Sequence, residues 1–319
     1  MSPTWRLSKA VFKRELLGYF SNPTGYVFIT LFVFLGAIAA FWQEAFFSNN
    51  LANLDQLNQI FPYLLVLFIP AISMGIWAEE KKNGTDELLL TLPATDFGIV
   101  LGKYLAAVAI YTAALLLSLS HVLVLRWLGN PDPGLMVSTY LGFWLMGAAL
   151  LALGMIASLL TDNLTIAFIE GAVLCAVPVF IDHAGVILTG KFQQLVETFS
   201  FREQFRDLAS GIVTLSSVIY FVSFMLVMLY LNVGLLGRRH WQTGKGTERM
   251  GWHYAVRGIA LVVTVVSLTI LAGRTGARVD VTAEKIHSLS NDTRKLIAGL
   301  DPNRPVFIQA YLSPQVPRS

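Results

Sequence analysis

Long apolar runs separated by short polar stretches dominate the chain. A helix crosses the hydrocarbon core of a bilayer with about 20 residues. Runs of that order fall at 24–43, 58–78, 97–127, 137–160, 164–182, 212–236 and 255–273, and predict about seven spanning helices. Pro62 and Pro70 predict bends in the second run and Pro178 in the fifth. Only Thr161-Asp162-Asn163 separates the fourth from the fifth, which predicts a tight helical hairpin. Ala37-Ile38-Ala39 resembles a signal-peptidase site, but the run continues through Phe41 and Trp42, which favours an uncleaved first span.

Three segments outside the spans carry patterns of their own. Trp5, Phe12, Leu16 and Tyr19 recur at helical spacing beside Arg6, Lys9 and Lys13, which predicts an interfacial amphipathic helix ending at Asn22-Pro23. Phe192, Leu195, Val196 and Phe199, then Phe201, Phe205 and Leu208, predict amphipathic helices over about 190–211 that dip into the edge of the outer leaflet. Beyond 274 the character changes. Arg278 to Thr282 reads as a strand, Ser290 as the cap of a short helix to Gly299, and Pro305 to Tyr311 as a second strand. Some 40 residues cannot bury a core unaided, so 274–319 reads as the start of an outer domain or as a segment that docks on a partner.

Composition agrees with the runs. Hydrophobic residues make up 55% of the 319 and charged residues 13%, where soluble domains carry about 25% charged. The net charge of +3 and the lack of a basic, aromatic-rich cluster give no footing to nucleic acid. The one cysteine, Cys175, cannot form an internal disulfide. Basic residues set the orientation. With the N-terminus inside, the inner segments hold Arg6, Lys9, Lys13, Arg14, Lys81, Lys82, Lys103, Arg238, Arg239, Lys245, Arg249 and Arg257, and the outer connections only Arg126, Lys191, Arg202 and Arg206. The positive-inside rule then puts the N-terminus in the cytosol and the tail outside.

Chemistry of its own is sparse in this chain. Gly185 to Phe192 matches a phosphate-binding loop except that Phe192 stands where a Mg²⁺-binding hydroxyl belongs. No H-E-x-x-H or G-x-S-x-G occurs, and Asp182-His183 reads as an interface marker. His121 reads as interfacial, near the outer end of the third span. Glu170 lies about two turns, or roughly 9 Å, into the fifth span, where a carboxylate is costly unless paired or wetted. It either faces a cavity or snorkels to the inner interface.

The inner loop after the second span is the informative segment. It reads Glu79-Glu80-Lys81-Lys82-Asn83-Gly84-Thr85-Asp86-Glu87-Leu88-Leu89-Leu90-Thr91-Leu92-Pro93. Gly84 allows a sharp turn, Thr85 can cap a helix, Asp86 and Glu87 suit its first turn, and Pro93 stops it. Leucines on such a stub call for a partner's groove or for packing on neighbouring spans.

This segment, with Gly102-Lys103, Lys13-Arg14-Glu15-Leu16 and Phe199-Ser-Phe201-Arg-Glu-x-Phe205, resembles the permease subunits of ABC-2 type transporters over about residues 5–240. The nearest branch includes gliding-motility and copper-site-maturation permeases. The resemblance implies an all-α polytopic fold, with an interfacial helix over 1–22 and a six-span permease domain over 23–240. A coupling helix would occupy about 84–93. Glu79, Glu80, Gly84, Thr85, Glu87, Leu88, Leu89 and Pro93 would bear on a separate cytosolic ATPase, which uses the ATP and Mg²⁺. A second permease copy or paralogue would complete the path, and Glu170 is a candidate to line its cavity if it does not snorkel. The departure is C-terminal: a linker at 241–254, a seventh span at 255–273, and an α/β segment at 274–319 resembling the opening of a gliding-motility-associated outer domain. The expectation is therefore an exporting permease in a bacterial inner membrane, with no enzymatic activity of its own. The alternative is a non-transporting scaffold that anchors outer motility or assembly machinery.

Overall fold

A computed structural model describes residues 3–49, 52–86, 95–184, 199–237 and 247–299. Helices α1 (Pro3–Ser21) and α2 (Pro23–Phe41) lead into a short α3 (Glu44–Asn49). Next come α4 (Asp55–Ser73), α5 (Gly75–Lys82), α6 (Asp96–Leu117), α7 (Ser120–Leu128), α8 (Pro133–Leu160) and α9 (Leu164–Ala184). Then α10 (Phe201–Ala209), strand β1 (Ile212–Thr214), α11 (Leu215–Gly237), α12 (Thr247–Thr275), strand β2 (Arg278–Asp280) and α13 (Asn291–Ala298) follow. Among the described residues six helices are long and apolar enough to cross a membrane, with α4–α5 and α6–α7, each interrupted for a residue or two, making one crossing apiece. A seventh is reached if the α1–α2 pair, bent by 75°, is one span.

The bundle is built around α8, whose apolar window is 83% buried against 18% for α12. Between helices in lipid, small residues allow the close approach that drives association. At Gly147 a Cβ would lie 2.2–2.5 Å from the Tyr111 ring, so only glycine admits α6 there. Tyr111 then donates to Phe143 O at 2.7 Å, and Tyr104 to Ala148 O at 3.0 Å. Asn232 of α11 donates to Ala152 O at 2.9 Å.

Helix α8 also mends the two broken crossings. At the α4–α5 break, Ser158 donates to Met74 O at 2.7 Å and accepts from Trp77 N at 2.9 Å and Ala78 N at 3.1 Å. At the α6–α7 break, Tyr140 donates to Ser118 O at 2.8 Å. Freed backbone groups in a membrane must find such partners. The α8–α9 hairpin is capped by Asn163 Oδ1, which accepts from Thr165 N at 2.9 Å.

Several expectations are altered by packing. Helix α1 turns Ser8 and Val11 into the protein, against α6, while Trp5 of the expected lipid stripe is 48% exposed. Phe201, Phe205 and Leu208 of α10 are buried in protein rather than turned to lipid. Phe205 stacks on Phe143 at 5.3 Å, and Ser138 donates to Leu208 O at 2.6 Å. Ser200 caps α10 by accepting from Glu203 N at 3.5 Å; the remainder of the 190–211 segment before 199 lies outside the described residues. His121, read as interfacial in depth, is buried within the protein at 3% exposure, with Nε2 3.1 Å from Val33 O and its ring edge-on to Phe41. The α6–α7 break carries it inward against α2.

The first part of the tail docks on its own bundle. β2 pairs antiparallel with β1 in the register Ile212–Asp280, Val213–Val279 and Thr214–Arg278. Val281 N donates to Gly211 O at 3.1 Å, and Ala283 N to Asp132 Oδ2 at 2.9 Å. Gly211 is left-handed at φ +84° and lies against the Thr282 methyl; Gly134 leaves room for Val281 O. The expected strand at 305–311 lies outside the described residues.

Candidate functional site: a charge cluster beneath the bundle

The end of the bundle opposite the tail holds a buried cation. Lys103 sits about two turns into α6, with a side chain only 1% exposed. A buried ammonium is costly unless paired and fully hydrogen-bonded. Its Nζ donates to Ile76 O at 2.8 Å and to Glu15 Oε1 at 3.1 Å, and pairs with Glu80 Oε1 at 3.0 Å. The Trp77 ring lies 5.0 Å away, within cation–π range. Arg14 spans the same two carboxylates, 2.5 Å from Glu15 Oε1 and also against Glu80 Oε1. Three elements distant in the chain, α1, α5 and α6, thus share one network.

Local structure aims each member. Gly102, one residue before Lys103, lets α1 lie close, since a Cβ there would sit 2.8 Å from Ser8 O and 3.0 Å from Val11 Cβ. The α4–α5 break held by Ser158 turns Ile76 O and Glu80 toward α6. Tyr19, one turn beyond Glu15, donates to Ile72 O at 2.5 Å and closes the other side. Lys81 donates to Leu159 O and ties α5 to α8. Burial alone would raise the Glu15 carboxyl, but Lys103 and Arg14 together hold it below its ordinary value. Burial likewise opposes the Arg14 charge, yet Glu15 and Glu80 outweigh it and raise its pKa.

The segment singled out in the sequence leaves this cluster directly. Asn83 N donates to Glu79 O at 3.0 Å and Gly84 N to Lys81 O at 3.1 Å, with Gly84 left-handed at φ +66°. This closes α5 and redirects the chain, a role glycine fills without strain. Thr85 Oγ1 donates to Glu80 O at 3.3 Å. Glu79 is exposed, while Glu80 points inward. Glu87, Leu88, Leu89 and Pro93 lie outside the described residues. The next helix begins at Thr95, whose hydroxyl accepts from Gly98 N at 3.3 Å.

Glu80 is thus a member of a buried network, a stronger role than a place in the loop suggested. Arg14, Glu15 and Lys103 were visible only as motif letters and inner positive charges. One signal could have found them: a lysine inside an apolar run demands a counter-charge, as a carboxylate does. Glu170 stands apart. It is half-buried on α9 between exposed Ile169 and Val173, and its Oε2 is buried without a partner among the described residues. At the far end Asp182 binds Arg202 at 2.8 Å and His183 at 2.9 Å, which anchors α10 to α9. Among the described residues no group of three His, Cys, Asp or Glu side chains could hold a metal ion.

Apolar crossings around a small-residue keel, with an ion-pair cluster under them, define a multi-pass membrane protein. The chain belongs to the ABC-2 family of transporter proteins: the model of that family, described as ABC-2 family transporter protein, matches residues 43–274, over two thirds of the chain. The match takes in α12 and so runs past the limit near 240 expected from the sequence. No curated protein matches the chain. Membership makes it a transmembrane subunit of an ABC transporter and implies an ATPase partner.

Proposed function

We propose that the chain is an exporting permease in a bacterial inner membrane, with its N-terminus and the cluster end in the cytosol. A separate ATP- and Mg²⁺-using subunit bears on the stub at 84–93, through Glu79, Gly84, Thr85, Glu87, Leu88, Leu89 and Pro93. The observation that carries this reading is the Lys103 cluster. It joins α5, from which the stub projects, to α1 and α6, so a push on the stub moves three elements together rather than bending a loose loop. A second permease copy or paralogue completes the path, and Glu170, whose buried Oε2 has no partner among the described residues, lies beside that shared space. The tail at 274–319 lies on the outer side and is of the gliding-motility-associated kind.

The test is purification of the full chain in mild detergent from its own cells, with mass identification of what accompanies it. An ABC-type ATPase is expected, and it should be lost on Leu89→Asp while membrane insertion persists. Outer machinery without any ATP-binding chain would move the protein to the scaffold reading. Labelling of Thr91→Cys from outside intact cells would reverse the orientation and overturn the proposal.

A further inference from the structure

On the opposite side of the bundle from the ion-pair network, α6, α7 and α8 enclose an open groove of about 480 Å³. It runs from Thr112 to Arg126 and Pro131 and is walled by residues such as Leu119, Val137 and Trp144. Its interior makes no polar demand. Trp144 Nε1 donates to Thr112 Oγ1 at 2.9 Å, Thr112 donates to Val108 O at 2.7 Å, and Tyr140 is spent on Ser118 O at 2.8 Å. Its walls face outward, with Val137 68% and Leu116 59% exposed, so in a bilayer they meet lipid.

The mouth is different. Arg126 is exposed and has no acidic partner among the described residues. Asp132, the next acid along the chain, is already taken: Oδ1 accepts from Gly134 N at 2.8 Å and Leu135 N at 3.3 Å, and Oδ2 from Ala283 N at 2.9 Å. Depth fits a headgroup. Asp96 to Arg126 is about 45 Å at 1.5 Å per residue, which matches a bilayer of about 40–45 Å with its headgroups. Trp127 beside it, 87% exposed, is of the type enriched at that level. From Thr112 to Arg126 the groove is about 21 Å long, longer than the roughly 15 Å of one hydrocarbon leaflet.

We propose that this groove holds one acyl chain of an anionic phospholipid from the leaflet at the tail end, with Arg126 gripping its phosphate. Guanidinium matches phosphate oxygens two at a time, and the apolar walls replace neighbouring lipid tails. The bound lipid would then bridge α7 and α8 beside the α6–α7 break. The site does not depend on the direction of transport or on the ATPase contact.

The test is native mass spectrometry of the full chain, offered phosphatidylglycerol and phosphatidylcholine of equal chain length. The wild-type chain should retain phosphatidylglycerol preferentially. Arg126→Gln, an exposed change without folding cost, should weaken that retention by roughly tenfold or more. Val137→Trp should fill the groove and abolish it, while Val263→Trp on the exposed face of α12 leaves it intact. Equal retention of the two lipids by the wild type, an unchanged preference in Arg126→Gln, or a disulfide between two copies of Val137→Cys would each overturn the proposal.

Discussion

Replacing Lys103 with methionine keeps the bulk of the stem and removes the charge. The Nζ lies 3.1 Å from Glu15 Oε1 and 3.0 Å from Glu80 Oε1. At an effective dielectric of 20 each contact is worth about 5 kcal/mol of Coulomb energy. Desolvation of the lysine consumes much of this, and removing one partner of a buried pair costs about 3–5 kcal/mol. Glu15 and Glu80 are 19% and 13% exposed, and Arg14 stays in contact with both, which puts the expected loss at the lower end. About 3 kcal/mol corresponds to a fall in Tm on the order of 5–10 °C for the detergent-solubilised chain. The diagnostic sign comes from a cycle with Glu15→Gln. Alone, that change should destabilise, because Lys103 loses a partner. In the Lys103→Met background it should recover stability, because two carboxylates no longer face each other across one arginine. A Tm for Lys103→Met within about 1 °C of the wild type, or an equal cost of Glu15→Gln in both backgrounds, would refute the network.

Two further outcomes follow from named contacts. Glu15 is held below its ordinary pKa, so its contribution is complete above the unfolded value of about 4.3 and is lost as pH falls through the lowered folded value. Pepsin should therefore begin to cut between Leu16 and Leu17 only in the most acidic part of its range, and Glu15→Gln should remove that threshold; a wild-type cut rate that merely tracks pepsin's own activity would contradict this. At the other end, Gly134→Ala places a methyl 1.7 Å from Val281 O, which forces the backbone of the tail away. Tryptic cleavage at Arg278 should rise sharply while far-UV helicity stays constant, and a tail as protected as before would show that it does not dock there.

Helix positions were legible because membrane spans leave a composition signal that needs no tertiary knowledge. The all-α polytopic class followed from run length alone. Faces were less legible. Phe201, Phe205 and Leu208 form the same apolar stripe whether they meet lipid or protein, and only Gly142 on α8, where a Cβ would lie 2.7 Å from the Phe205 ring, makes protein the answer. The packing of His121 was hidden for a related reason: the α6–α7 break at Ser118-Leu119 has no proline or glycine to announce it, and it brings the ring against α2. The charge cluster was half legible. Each of its letters stood in a noticed motif, but a separation of 88 residues between Glu15 and Lys103 is a fact of topology. The docking of β2 on β1 was not legible at all, since three residues of β1 lie between two helices without alternation.

Both broken crossings are closed by the same helix. Ser158 and Tyr140 stand near opposite ends of α8 and satisfy the backbone freed at Met74 and at Ser118. An unsatisfied group at either place would cost about 1–3 kcal/mol, so each break is pinned to α8 and is most cheaply worked as a hinge against it. The two arms beyond the hinges have different duties. Helix α5 carries Glu80 and the stub, and α7 carries Arg126 toward the loop where Asp132 receives the tail. In the proposed cycle a push on the stub first meets Lys103, whose partners on α1 and α5 oblige α6 to follow. Motion of α6 reaches α7 only across the Ser118 hinge. Bistability of the permease therefore rests on whether α6 and α7 move as one rod or bend at that point while α8, buried on nearly every side, stays in place.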